Sequence, residues 1–114
     1  MSTWPFEDLV RNITVLLIRG EYARLEALCQ GVRLGAADLA RAVSDYGRTL
    51  SLPPEGRDPP LGVVEVIGSG PRRWAVDVPL WSLQEGPSDL TLQLHLTEQS
   101  SGAFSVEIDD LHVL

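Results

Sequence analysis

The sequence predicts an α+β domain with helices in its first half and an antiparallel sheet in its second. Three observations predict it. Apolar residues recur at helical spacing between residues 4 and 47, apolar and polar residues alternate singly over residues 61–114, and four prolines fall within residues 53–60 between the two stretches. Periods of 3.6 and 2 belong to helices and strands respectively. A proline cluster forbids both a helix interior and a central strand, so residues 53–60 read as a semi-rigid crossover between the halves. At 114 residues, 44% hydrophobic, the chain is one domain's worth and can bury one core.

The first predicted helix runs from Pro5 to Arg19. Phe6, Leu9, Val10, Ile13, Leu16 and Leu17 form its apolar stripe, Glu7 and Asp8 suit its positive end, and Gly20 offers a stop. A second, from Glu21 to about Cys29, carries Tyr22, Leu25, Leu28 and Cys29. After a connector over Gly31–Gly35, a third runs from Ala36 to Tyr46. Gly35 stands as its N-cap with Asp38 at N3, Leu34 and Leu39 sit at the staple positions, and Gly47 ends it.

Four strands are expected in the second half: Leu61–Ile67, Arg72–Leu83, Ser88–Glu98 and Ala103–Leu114. The third is the clearest, because Leu90, Leu92, Leu94 and Leu96 alternate with Thr91, Gln93, His95 and Thr97. It has one dry face and one wet face. Short turns at Gly68–Pro71, Gln84–Pro87 and Gln99–Gly102 make sequential strands antiparallel neighbours, a four-stranded β-meander. In the last strand Phe104, Val106 and Ile108 keep one parity while Leu111 and Val113 take the other. One extra residue near Asp109-Asp110, a β-bulge, restores the inward face. The three helices are expected to cover the leucine face of the sheet, with Leu16, Leu92 and Leu94 among its most buried residues.

Composition narrows the functional classes. Formal net charge is −7, and every basic residue is arginine. That balance argues against binding nucleic acid, which needs cations on phosphates, and fits a basic protein partner. No apolar run approaches the ~18 residues that span a bilayer, and the first residues lack the basic and apolar regions of a signal peptide. A cytoplasmic protein with no membrane association is the expectation. Cys29 is the single cysteine, which excludes an internal disulfide. Its plain reading is a small core hydrophobe. One cysteine and two scattered histidines give no zinc spacing. There is no phosphate loop, dinucleotide fingerprint, nucleophile elbow or metalloprotease helix. No cofactor, metal or catalytic residue is therefore expected.

The remaining candidates are constellations. Asp77 and His95 fall on the wet face of neighbouring strands, where a carboxylate can orient an imidazole base. The plainer reading is a surface pair, and both are expected to be solvent-exposed. Asp109, Asp110 and His112 sit at the inferred bulge, where side chains are often re-aimed. Tyr46, Arg48 and Trp81 are the residue types that anchor interfaces, although Trp81 could equally pack beneath the crossover. Glu85-Gly86-Pro87-Ser88-Asp89 leads into a strand and carries two acids, so it reads as a turn closed by side-chain hydrogen bonds rather than as a phosphate site.

The runs Tyr46-Gly47-Arg48-Thr49-Leu50, Val78-Pro79-Leu80-Trp81, Glu85-Gly86 with Ser88-Asp89-Leu90-Thr91-Leu92, and Ile108-Asp109-Asp110-Leu111-His112-Val113-Leu114 resemble an uncharacterised bacterial domain of unknown function. The resemblance covers most of the chain and implies no activity. More loosely, helices followed by long strands ending in Ile108–Val113 are similar to the nuclear-transport-factor-2-like, cystatin-related fold, which implies a sheet curved round a helix. Small size, acidity and a polar sheet face together point to a non-enzymatic binding protein. The type expected is an immunity or antitoxin-like protein that engages a basic partner. Glu85, Asp89, Asp109 and Asp110 are its candidate acids. The alternatives are a small-ligand or minor enzymatic domain with a pocket between helices and sheet, and an accessory domain that dimerises through the outer sheet face.

Overall fold

α1, Glu7–Ile18, begins after Phe6 rather than at Pro5, which lies in the turn before it. It buries Val10, Ile13 and Leu17, with Phe6 buried just ahead of it. Leu16, expected among the most buried residues, is only partly covered, because the helix turns Leu17 and Ile13 into the core instead. The helix closes in a Schellman motif: the Gly20 N–H donates to the Leu17 carbonyl and the Glu21 N–H to the Leu16 carbonyl. That motif needs a left-handed residue, and Gly20 supplies a φ of 74°. The computed structural model describes residues 4–29, 34–57, 60–68 and 70–113. Residues 30–33 with most of the connector, Ser69 of the first sheet turn, residues 58–59 of the proline stretch and Leu114 lie outside it.

α2, Tyr22–Leu28, buries Leu25 and the following Cys29, whereas Leu28, expected in its apolar stripe, is exposed. α3 spans Ala36–Tyr46, as the capping signals predict. Asp38 Oδ2 accepts the Gly35 N–H at 3.1 Å. A second acceptor comes from α2, where Glu26 Oε1 takes the Ala36 N–H at 2.9 Å. Two otherwise unpartnered donors are thus satisfied.

The sheet has five strands rather than the expected four. The additional one is β1, Leu50–Ser51; β2 is Gly62–Val66, β3 Arg73–Ser82, β4 Gly86–Glu98 and β5 Phe104–Val113. All pairings are antiparallel. β3 pairs with β4 along one side, and β4 with β5. On the other side of β3, β1 meets Trp81–Ser82 and β2 meets Arg73–Asp77. The proline stretch therefore does not cross between two halves. It leaves and rejoins a single edge of the sheet, interrupting what would be one strand because proline cannot supply ladder donors.

The inferred bulge is present. Gln93 faces Asp110 and Leu94 faces Ile108, so Asp109 is the extra residue. It restores Leu111 to the inner face, where it is buried. A second irregularity lies between β3 and β4: Pro79 faces Thr91 but Trp81 faces Pro87, giving β4 two more residues than β3. The inner face of Trp74, Val76, Val78, Leu80, Leu90, Leu92, Leu94, Leu96, Val106, Ile108 and Leu111 joins the three helices in one core. Phe6 packs tilted against Trp74 and edge-on against Phe104, at centroid distances of 5.5 and 5.7 Å.

Candidate functional site

Two groups of polar side chains stand out. The first latches the β3–β4 turn to the segment linking α3 to β1. Backbone pairing brings them together: the Leu83 N–H donates to the Thr49 carbonyl at 2.9 Å, beside the Leu50–Ser82 pair. Side chains then converge. The Tyr46 hydroxyl donates to Glu85 Oε1 at 2.6 Å and also hydrogen-bonds Ser88 Oγ. Arg48 Nε stands 3.6 Å from the same Glu85 oxygen. Gln84 is held twice by Thr49, through the Thr49 N–H and the Thr49 hydroxyl. The fully buried Ser82 accepts the Glu85 N–H, and Ser88 Oγ accepts the Leu90 N–H, so serine hydroxyls close the turn as expected.

Gly86 completes the turn with a φ of 73°. A Cβ there would lie 3.5 Å from the Trp81 ring, an ordinary contact distance, so the glycine is required by its φ while Trp81 packs over the turn. Trp81 is accordingly half-buried rather than exposed. Asp89 is exposed at the start of β4. The Glu85 hydrogen bond, above all, holds the Tyr46 phenol above its usual pKa; the Ser88 contact opposes this, while burial and the charges of Glu85 and Asp89 reinforce it. Cys29 is moved the same way, pushed up to about 11 by burial. A nucleophile or base working near neutrality needs a shift in the opposite direction.

The second group is the outer face of β3, β4 and β5. One row crosses it as Asp77, Gln93 and Asp110, and the next as Ala75, His95 and Glu107. The partner of Asp77 is Gln93, whose Nε2 donates to Asp77 Oδ1 at 3.2 Å; His95 is the diagonal neighbour. Neither Asp77 nor His95 is fully exposed, and His95 Nε2 is buried without a hydrogen-bond partner among the described residues. At the bulge, Asp110 is exposed and its Oδ1 accepts the Leu111 N–H at 2.9 Å. His112 Nδ1 lies 2.9 Å from Asp110 Oδ2 at an angle unsuited to a hydrogen bond. Asp109 is half-buried.

The structure therefore joins Tyr46, Arg48 and Glu85, sets Trp81 and Asp89 beside them, and joins Asp110 to His112 on a different strand. Thr49, Gln84 and Ser88 of the latch, and Gln93 and Glu107 of the face, were not singled out by the sequence as functional. Among the described residues no three His, Cys, Asp or Glu side chains are grouped to hold a metal, and no helix is long and apolar enough to cross a membrane. An open depression lies between two turns, lined by Gly70, Pro71, Arg72, Glu98, Gln99 and Ser100.

Fold and site together define a small α+β domain with three helices on one face of an open antiparallel sheet. Residues 15–114 match the family described as a domain of unknown function, DUF7668, and the chain belongs to that family. No curated protein and no solved structure matches it.

Proposed function

We propose that this domain is a non-enzymatic binding protein, of the immunity or antitoxin-like kind, that engages a basic protein partner in a bacterial cytoplasm through the outer face of its sheet. One observation carries the reading. Asp77, Glu107 and Asp110 share that face across three adjacent strands, and the one arginine on those strands' outer positions is Arg73, at the far end of β3. Much of the remaining face is small or neutral: Ala75, Pro79, Gln93, Thr97 and Ser105. A surface with an excess of one sign suits a partner of the other. Glu85, a candidate acid, is engaged by Tyr46 and Arg48, so its charge is partly neutralised in place. The upward pKa shifts of Tyr46 and Cys29 are opposite to those a base or nucleophile near neutrality needs.

The reading also carries a fold relation. A curved sheet of the nuclear-transport-factor-2-like kind is supported by the two register irregularities, since bulges bend strands and increase their twist.

The test uses the immobilised chain against a bacterial extract, with bound proteins identified by mass spectrometry. Basic proteins should be retained at 0.1 M salt and released towards 1 M, as the Debye length falls from about 10 to about 3 Å. Glu107→Arg with Asp110→Arg should abolish retention while the circular dichroism spectrum stays that of the folded parent. Retention of only neutral or acidic proteins, or an on-rate indifferent to salt, overturns the proposal.

A further inference from the structure

We propose that the free edge of β2 pairs with the same edge of a second copy of this chain, antiparallel and centred on Val64, to join two sheets into one. The inference does not depend on the basic-partner reading. β2 is a terminal strand over Gly62–Val66, bonded to β3 alone. A terminal strand exposes a row of unpaired backbone donors and acceptors, and proteins ordinarily guard it with charge, proline or a bulge. None of these guards lies within Gly62–Val66 except one charge, Glu65. That charge is already engaged: both nitrogens of a two-pronged Arg72 contact reach its carboxylate, at 2.9 and 3.1 Å, and hold its pKa below the usual carboxylate value. Around it Val64 is 66% exposed and Ile67 98%.

The strand's own pattern says which partner fits. Residues directly opposite in an antiparallel pair point to the same face, so a two-fold pair must join positions of like parity. Centring on Glu65 would oppose two carboxylates. Centring on Val63 leaves Ile67 beyond the partner strand. Centring on Val64 sets Val64 against its own copy, Val66 against Gly62, Glu65 against Val63, and the exposed Ile67 against Leu61. In that register each exposed apolar side chain of the strand meets an apolar residue or the space above a glycine. Such self-complementarity is what a two-fold interface requires.

Charge points the same way. A chain of net charge −7 repels its copy across most of its surface, and a face-to-face dimer would set Asp77, Glu107 and Asp110 against their own copies. The β2 edge avoids this, because its carboxylate is matched by Arg72 and Arg73 stands on the adjoining strand. Edge pairing would also leave the acidic outer faces coplanar and open.

Sedimentation velocity and light scattering on the full chain at micromolar concentrations test the proposal. The expected result is a species of twice the chain mass. Val64→Lys, which places a charge on the exposed strand, should leave only monomer with an unchanged circular dichroism spectrum. Val64→Cys should give a disulfide-linked dimer on mild oxidation, since the two cysteines would face each other and Cys29 is buried. Ser101→Cys, in the β4–β5 turn, should link far more slowly. A monomeric parent chain, a Val64→Lys dimer as tight as the parent, or equal linking by the two cysteine variants would each overturn it. So would a parent monomer that instead takes up an extended peptide on this edge.

Discussion

β5 and the β1–β2 line both end the sheet, yet they are built differently. β5 is one long strand of ten residues carrying Glu107, Asp109 and Asp110, and a bulge breaks its pairing rhythm at Asp109. The opposite edge is split in two by the proline stretch. Its longer piece presents Val64 to solvent, with Ile67 exposed just past its end, and carries one carboxylate that Arg72 engages. Charge and irregularity discourage a further strand from adding to β5, whereas β2 has only its brevity. The difference teaches that the guard on an edge is local. One acidic chain can carry a repelling edge and an accepting edge on the same sheet.

The largest expected effect removes the support both edges share. Leu94 is buried at the centre of β4 and faces Val76 on one side and Ile108 on the other. Leu94→Ala should destabilise the domain by about 2–5 kcal/mol, through lost transfer energy and the cavity left behind. That approaches the whole stability of a small domain. Hydrogen exchange should show β2 and β5 losing protection together, and protection kept on one edge alone would mean that the edges do not share a core.

Deleting Asp109 acts on β5 alone and should come next. Without the extra residue, Asp110 would follow Ile108 in regular alternation and Leu111 would stay on the inner face, so its burial is kept. The strand would also be straighter and better able to accept a neighbour. The expected outcome is new self-association that Val64→Lys does not prevent, with the denaturation midpoint little changed. A deletion variant as dispersed as the parent would show that the bulge guards nothing.

How far this contrast could be read from sequence differs by element. The bulge was legible because its signature is a parity change within one strand, Ile108 to Leu111. α3 was legible because Gly35, Asp38, Leu34, Leu39 and Gly47 all act within a turn of its ends. β1 was not, since two residues have no period. Asp77 and His95 were legible as near neighbours, because both keep the outward parity of adjacent strands, and the structure makes them diagonal neighbours. The residue directly opposite Asp77 was not legible: pairing outward from Trp81–Pro87 leads regularly to Thr91, and the two additional β4 residues shift that to Gln93. The latch was out of reach because Tyr46 meets Glu85 and Ser88 across 39 and 42 residues of chain, with nothing local to announce the contact. The split edge was hidden because prolines state where pairing stops and not that it resumes on the same side of β3.

The smallest effect concerns the latch, which holds the β1 piece of the split edge. Tyr46→Phe removes the hydroxyl shared with Glu85 and Ser88, and the net loss should be about 1 kcal/mol, the usual worth of a hydrogen bond open to water. The change should be felt at β1 and the β3–β4 turn and not at β5. It should also alter the response to alkali. The phenol's folded pKa lies above its ordinary value of 10.0, so the folded state holds this proton more tightly than the unfolded state does. The latch is therefore at full strength below pH 10 and weakens as pH rises through the folded pKa. Cys29 titrates in the same direction, from 9.0 when unfolded to about 11 when buried, so the comparison is best made with Cys29→Ala in both proteins. On that background, denaturant midpoints of the chain that keeps Tyr46 should fall more steeply above pH 10 than those of the Tyr46→Phe variant. Parallel curves would show that the Glu85 contact does not hold the proton, and that β1 is kept in place by its Leu50–Ser82 pairing alone.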